Sequence, residues 1–158
     1  MKGIAEGACV EYAAIVLLNA RTEILKVANR RHKCEPAPID PDGCTGVAVM
    51  PQAAAQGRVI HAQNWDWKAE CAETAVVLRI LREDGPDVLT FTEAGGMARS
   101  GMNAAGISIT ANYLESDRDY KQVGVPLALL RRKALEQAQL ALAMRVVYTT
   151  AKSASNNV

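Results

Sequence analysis

The chain has 158 residues, 49% of them apolar and 22% charged, which is the make-up of one globular domain with a real core and not of a disordered segment. Lys and Arg number 18 against 17 Asp and Glu, so the formal charge is only +1 and there is no basic excess to bind nucleic acid or an acidic membrane surface. Aromatics make up 4%, too few for a stacking platform on single strands, and no apolar run approaches the ~20 residues of a membrane span.

Residues 1–7, Met-Lys-Gly-Ile-Ala-Glu-Gly, lack the apolar centre of a signal peptide, so the expected setting is cytoplasmic, with no peroxisomal signal in view. The four cysteines, Cys9, Cys34, Cys44 and Cys71, form no CxxC pair, and in such a compartment they read as free thiols. No metal site is expected.

Residues 10–26 predict a helix, with Ile15, Leu18 and Leu25 near helical spacing among good helix formers. The cations Lys26, Arg30, Arg31, His32 and Lys33 then suit a solvated helix end. Residues 35–43 hold three prolines, two aspartates and a glycine, and predict a long loop. From Cys44 the pattern turns to strand. Strands are predicted at 45–50, 58–64, 74–81, 88–93, 97–101 and 106–113, with turns at 84–87 and 102–106. Short connections favour an antiparallel sheet. Pro126 opens a helix with Leu127, Leu130 and Ala134 on one stripe, and a second helix runs through Ala138, Leu142, Ala143 and Val146. The polar tail at 149–158 is expected to start a further strand. The whole is an α+β layout, one domain over 1–158.

Three places offer chemistry. Cys44 follows Asp42-Gly43 at a loop-to-strand junction, where Gly43 permits unusual backbone geometry. A buried cysteine is usually an inert small hydrophobe. Here the thiol can instead attack the Gly43 carbonyl, an N-to-S acyl shift, and hydrolysis would leave Cys44 as a new N-terminus. Its α-amino group, with a pKa of about 7.7–8.0, then serves as base to its own thiol. Neither His32 nor His61 is needed. A Cys–His enzyme built on His61 is the competing thiol reading.

Asp66 sits between Trp65 and Trp67 at the end of the second predicted strand. It is either a solvated carboxylate at a core edge or the group that orients the Cys44 amine, within reach if the two strands form a hairpin. Asn112 lies in an otherwise apolar stretch, where an amide needs a partner. It is either a satisfied core amide or a donor to a tetrahedral oxyanion. Asn103 reads as a turn residue, and the glycines of 93–106 as turns and close approaches.

Met1-Lys2-Gly3-Ile4-Ala5-Glu6-Gly7, Leu18-Asn19-Ala20-Arg21-Thr22-Glu23-Ile24, Asp42-Gly43-Cys44-Thr45, Gln63-Asn64-Trp65-Asp66-Trp67, Glu93-Ala94-Gly95, Gly101-Met102-Asn103-Ala104-Ala105-Gly106-Ile107 and Ala111-Asn112-Tyr113 occur in this order. Together they resemble the acyl-coenzyme A:6-aminopenicillanic acid acyltransferase (isopenicillin N acyltransferase) family. The resemblance implies an N-terminal nucleophile hydrolase fold, an αββα sandwich. It implies self-cleavage between Gly43 and Cys44, dividing the chain into 1–43 and 44–158. Cys44 would be the nucleophile, Asp66 its orienting carboxylate, and Asn112 would stand near the oxyanion. The activity implied is that of an amidase or acyltransferase passing an acyl group to water or an amine.

No bound cofactor is implied. Acyl-coenzyme A would enter as a donor substrate, and the partners would be a small acyl amide or thioester, without nucleic acid or membrane. Related bile-salt hydrolases often carry Arg three residues before the Asp. Gln63 stands there instead, as in the acyltransferases, which disfavours bile-salt hydrolysis. Family members are usually much longer, with strands, a further asparagine and a catalytic arginine that have no counterpart here. The expectation is a partial copy of the fold whose exposed sheet edges self-associate. The alternative function is that of an inactive, truncated member serving as a structural or interaction module.

Overall fold

The computed structural model describes residues 1–32, 43–155 and 158. The element order is α1 (Lys2–Gly7), α2 (Tyr12–His32), β1 (Thr45–Val49), β2 (Ile60–Asn64), β3 (Ala75–Ile80), β4 (Val88–Glu93), β5 (Ser100–Asn103), β6 (Ser108–Ile109), α3 (Leu127–Leu135) and α4 (Leu140–Thr149), with short 3-10 turns at Pro51–Ala53 and Ala69–Thr74. This is the expected α+β arrangement, with α1 in addition. The strands divide into two antiparallel sheets, the hairpin β1–β2 and a four-stranded sheet in the order β3-β4-β5-β6.

The pleat of the larger sheet separates two faces. Val88, Thr90 and Thr92 of β4, Asn103 of β5 and Ile109 of β6 share one face and are buried. There α3 and α4 supply Ala134, Leu135 and Ala143, which pack with Val88, Ala98, Ile107 and Ile109 into the core. The opposite face carries Phe91 and Ser108, which meet Trp65 and His61 of the hairpin side. The layers are therefore helices, four-stranded sheet and hairpin. Val77 at 67%, Leu89 at 43% and Met102 at 50% exposure lie on that second face beyond the hairpin's cover.

Two predicted strands are displaced. The strand expected at 97–101 lies at Ser100–Asn103, and that expected at 106–113 keeps only Ser108–Ile109 as strand. Residues 95–99 are held in a turn instead. Gly95 adopts φ +83°, a value that favours glycine, and Asn19 of α2 grips both sides of the turn. Its Nδ2 donates to Gly95 O at 2.9 Å, and its Oδ1 accepts from Met97 N at 2.8 Å. Beyond β6, Asn112 forms an isolated β-bridge.

The tail forms no strand among the described residues. It is tied down at single points, with Tyr120 N donating to Ser153 O at 2.6 Å and Gly124 N to Ser153 Oγ at 2.7 Å. A Cβ on Gly124 would lie 2.5 Å from the Lys152 backbone, so only glycine permits this approach. The predicted helix through residues 10–26 continues to His32, so the basic cluster ends the helix as expected, with Lys33 outside the described residues. Arg30 donates to Asp119 O at 2.5 Å and to Asp117 O at 3.0 Å. The expected loop at 35–43 lies outside the described residues except for Gly43.

Asn103 does more than make its turn. Its Oδ1 accepts from Ala105 N and Ile107 N, both at 3.0 Å, closing the β5–β6 connection. Its Nδ2 donates to Leu135 O at 2.8 Å and Gln137 O at 2.7 Å, satisfying carbonyls at the C-terminus of α3. Since Asn103 is 4% exposed, water cannot replace these partners. Asn103→Ala is expected to destabilise the fold by about 3 kcal/mol, read from urea unfolding. A loss below about 1 kcal/mol would mean that the turn and α3 hold together without it.

Candidate functional site

The β1–β2 register aligns Thr45 with Asn64 and Gly46 with Gln63, so one step further sets Cys44 across from Trp65, adjacent to Asp66. Alternation along the strands puts Cys44, Gly46 and Ala48 on the face shared by His61, Gln63 and Trp65. That face is turned to the larger sheet. His61 shares hydrogen bonds with Ser108 Oγ through Nδ1 at 2.7 Å and with Thr110 Oγ1 through Nε2 at 3.0 Å. Gln63 Nε2 donates to Ala111 O at 2.7 Å, and its Oε1 accepts from Ala111 N at 3.4 Å.

Gly46 makes the close approach possible, since a Cβ there would meet Thr110 Oγ1 at 3.1 Å and Asn112 Oδ1 at 3.6 Å. Gly46, Val47, Ala48, His61, Thr110, Asn112 and Val158 border a cleft of about 170 Å³.

Of the residues singled out in the sequence, Cys44 is half-buried and heads β1. Asn112 joins the same face, its Oδ1 accepting a long 3.5 Å contact from Gln63 Nε2. Asp66 is exposed and accepts from Asn64 Nδ2 at 3.0 Å, and among the described residues no hydrogen bond joins it to Cys44. Gly43 is exposed. His61, committed to Ser108 and Thr110, stands opposite Ala48, four residues along β1 from Cys44, or roughly 13 Å of strand. The competing Cys–His reading gains no contact from this placement.

Trp65 and Trp67, which the sequence marked as flanking Asp66, gather around them Phe91, Arg99 and Glu93, a grouping that the sequence did not single out. The two indoles stack with centroids 6.2 Å apart and planes 19° apart, and Trp65 meets Phe91 edge-on at 5.2 Å. The Arg99 guanidinium lies 5.4 Å from the Trp65 centroid and 5.6 Å from that of Trp67, within cation–π range of both. Arg99 donates to Glu93 Oε2 through Nη2 at 2.9 Å and through Nε at 3.3 Å. Glu93, 5% exposed, also takes Arg21 Nη2 on its two oxygens at 2.7 and 2.8 Å. Burial alone would raise the Glu93 carboxyl, but the Arg21 hydrogen bond and the charge and hydrogen bond of Arg99 hold it below the ordinary range.

Burial pushes the Cys71 thiol up, and the neighbouring Glu93 adds to this, which keeps that thiol protonated at neutral pH. On α3, Arg131 is 7% exposed. Burial pulls it down to about 10, and the charge of Arg99 adds to this. Among the described residues, no group of three or more His, Cys, Asp and Glu could hold a metal ion, and no helix is long and apolar enough to cross a membrane.

The signals available in the sequence for this cluster were slight: a glutamate ending an apolar strand, and an arginine six residues on across two glycines. Two buried carboxylates, Glu93 in this cluster and Asp119 near the tail, carry a pH signature. Glu93 and Asp119 both lie below their ordinary values, Asp119 because the Ser155 and Ser116 hydrogen bonds outweigh its burial. A carboxyl lowered by folding stabilises the fold above its unfolded value, and that contribution is lost as pH falls through the folded value. The thermal midpoint should therefore drop as pH falls below the ordinary glutamate value of 4.5. Glu93→Gln should cost about 3 kcal/mol at neutral pH, because two guanidiniums lose their partner, and should shrink the acid-induced drop. An acid profile identical to the parent's would show that Glu93 carries none of it.

The chain is 35% identical over 135 residues to the acyl-coenzyme A:6-aminopenicillanic-acid-acyltransferase 40 kDa form of Emericella nidulans, an alignment covering 85% of this chain and 34% of that protein. The chain thus spans about a third of the length of this curated relative. No family model matches it. Over most of its own length this α+β chain is thus similar to part of an acyltransferase.

Proposed function

We propose that the chain carries part of a self-processing cysteine N-terminal nucleophile amidase or acyltransferase. The observation that carries this is the β1–β2 register, which sets Cys44 at the head of a hairpin, across from Trp65 and next to Asp66, on the face turned to Asn112. The likeness to an acyltransferase supports the reaction class. The stacked hairpin, sheet and helices support the αββα reading, with Val77, Leu89 and Met102 as apolar area on the inner face.

In the proposed processing step, Cys44 Sγ attacks the Gly43 carbonyl carbon, the Gly43–Cys44 C–N bond breaks and a thioester forms. Water then hydrolyses the thioester, freeing the Gly43 carboxylate and the Cys44 α-amine. In turnover, that amine takes the thiol proton and Sγ attacks the carbonyl of an acyl amide or acyl-coenzyme A. The Asn112 amide donates to the oxyanion, the amine or thiol leaves with a proton, and an acyl-enzyme remains. Water or an amine takes the acyl group and regenerates the thiol. Asp66 accepts from the Cys44 amine and orients it. The substrates are small acyl compounds, and neither metal nor bound cofactor enters a step.

Intact mass under denaturing conditions tests the processing step. The parent should yield two polypeptides divided before Cys44, and Cys44→Ala a single chain, with Cys9→Ala and Cys34→Ala processed normally. Processing of Cys44→Ala like the parent would exclude this nucleophile.

Asp66→Asn preserves shape and removes charge. It should leave the thermal midpoint nearly unchanged while hydrolysis of acyl p-nitroanilides falls by about 10²-fold or more. Glu70→Gln, also exposed and nearby, serves as control. A lowered midpoint with unchanged turnover would make Asp66 structural.

A further inference from the structure

Asp66 accepts a hydrogen bond from Asn64, its neighbour on β2, and is otherwise exposed, so its own side chain does little to fix where it stands. Its two chain neighbours, Trp65 and Trp67, are fixed instead. They stack on each other, Trp65 abuts Phe91 of β4, and the Arg99 guanidinium lies within 5.6 Å of both ring centroids.

Arg99 is itself held at both ends. Its backbone N donates to Phe91 O at 3.0 Å, and its guanidinium makes a two-atom fork on Glu93, whose other bonds go to Arg21 of α2. A planar guanidinium can grip a carboxylate with its edge while its face lies against indoles, and an ammonium cannot do both.

We propose that Arg99, oriented by Glu93, is a positioning residue for the Cys44–Asp66 pair: it fixes the Trp65–Asp66–Trp67 corner and thereby sets the carboxylate against the head of β1. This rests on the reading of Cys44 and Asp66 as nucleophile and orienting carboxylate. Arg99 touches the rings on both sides of Asp66 without bonding to Asp66, so its effect on turnover must pass through the corner.

The test uses the full chain as parent, Arg99→Met, Arg99→Lys, Asp66→Asn and the Arg99→Met/Asp66→Asn double variant, with acyl p-nitroanilides as probe. Near-UV circular dichroism reports the stacked tryptophans, and kcat, KM and the thermal midpoint are measured beside it. Arg99→Met should lose the tryptophan band and about 10-fold or more in kcat at little-changed KM, and Arg99→Lys should fall between it and the parent. Because Arg99 acts through Asp66, the double variant should be no slower than Asp66→Asn alone.

A tryptophan band unchanged in Arg99→Met, or a double variant slowed by the product of the two single effects, would overturn the positioning role. Should Arg99→Met fail to fold, Arg99→Lys carries the same comparison in the Asp66→Asn background. Turnover that depends on Cys44 but behaves in either of those ways sinks only this inference. Turnover that survives Cys44→Ala, or a parent that shows none, sinks the nucleophile reading and this one together.

Discussion

The buried carboxylate of Glu93 is the joint on which the other parts depend. Removing a carboxylate from water is costly, and burial stands as the largest single influence on this one. It stays charged because two guanidiniums from different directions close on it, Arg21 from α2 and Arg99 from the turn after β4. In return the pair specifies an arrangement. Arg21 fixes α2 against the end of β4, and Arg99 carries that constraint outward to the two indoles. Asn19, two residues before Arg21 on α2 and itself buried, secures the turn that follows through Gly95 and Met97. Removing Glu93 would leave two partly buried cations facing each other, so the joint cannot be dismantled from its centre without loss.

The hairpin is attached by a different chemistry. Little of its face against the larger sheet is apolar apart from Trp65. His61 and Gln63 instead reach Ser108, Thr110, Ala111 and Asn112 through hydrogen bonds. Such bonds have directions, so they fix register where a greasy contact would allow sliding. Gly46 completes the fit by bringing β1 down onto Thr110 and Asn112. The head of β1 therefore has a defined height above the sheet, set by amides and hydroxyls. On the far side, Glu23 accepts from Leu127 N at 2.8 Å, placing a negative charge at the N-terminus of α3, where the helix dipole favours it.

Local patterns made the first four strands and the main helices legible. Strands β1 to β4 are short β-leaning runs bounded by turn residues, and their bounds in the structure fall within a residue or two of the reading. The failures at β5 and β6 have a tertiary cause. Asn19 lies 76 residues from Gly95, and its grip on the turn shifts the following strand by about three residues, which no local window contains. Asn103 read correctly as a turn residue, yet its bonds to the end of α3 span more than 30 residues and leave no local trace. The same limit hid the cluster beside the candidate site. Cys44, Asp66 and Asn112 stood out through their immediate neighbours. Glu93, Arg99 and Arg131 matter through partners distant in sequence, and they resemble any other charged residue until the chain is folded.

The contacts of α2 reach across the chain in one consistent sense. Every long-range partner described for it lies beyond residue 44: Glu93, Gly95 and Met97 through Arg21 and Asn19, Glu115 through Lys26, Asp117 and Asp119 through Arg30, and Leu127 through Glu23. The segment before Cys44 is thus bound to the segment after it as one subunit binds another, by a partly buried ion pair, an exposed one and hydrogen bonds to backbone groups. A chain opened between Gly43 and Cys44 would keep its shape and travel as a single particle. The cut would change the order of the folding reaction: the intact chain folds at a rate independent of concentration, whereas the two pieces, once separated by denaturant, would have to find each other. Such a molecule would be stable while folded and slow to recover once unfolded, a one-way character written into the placement of its longest helix.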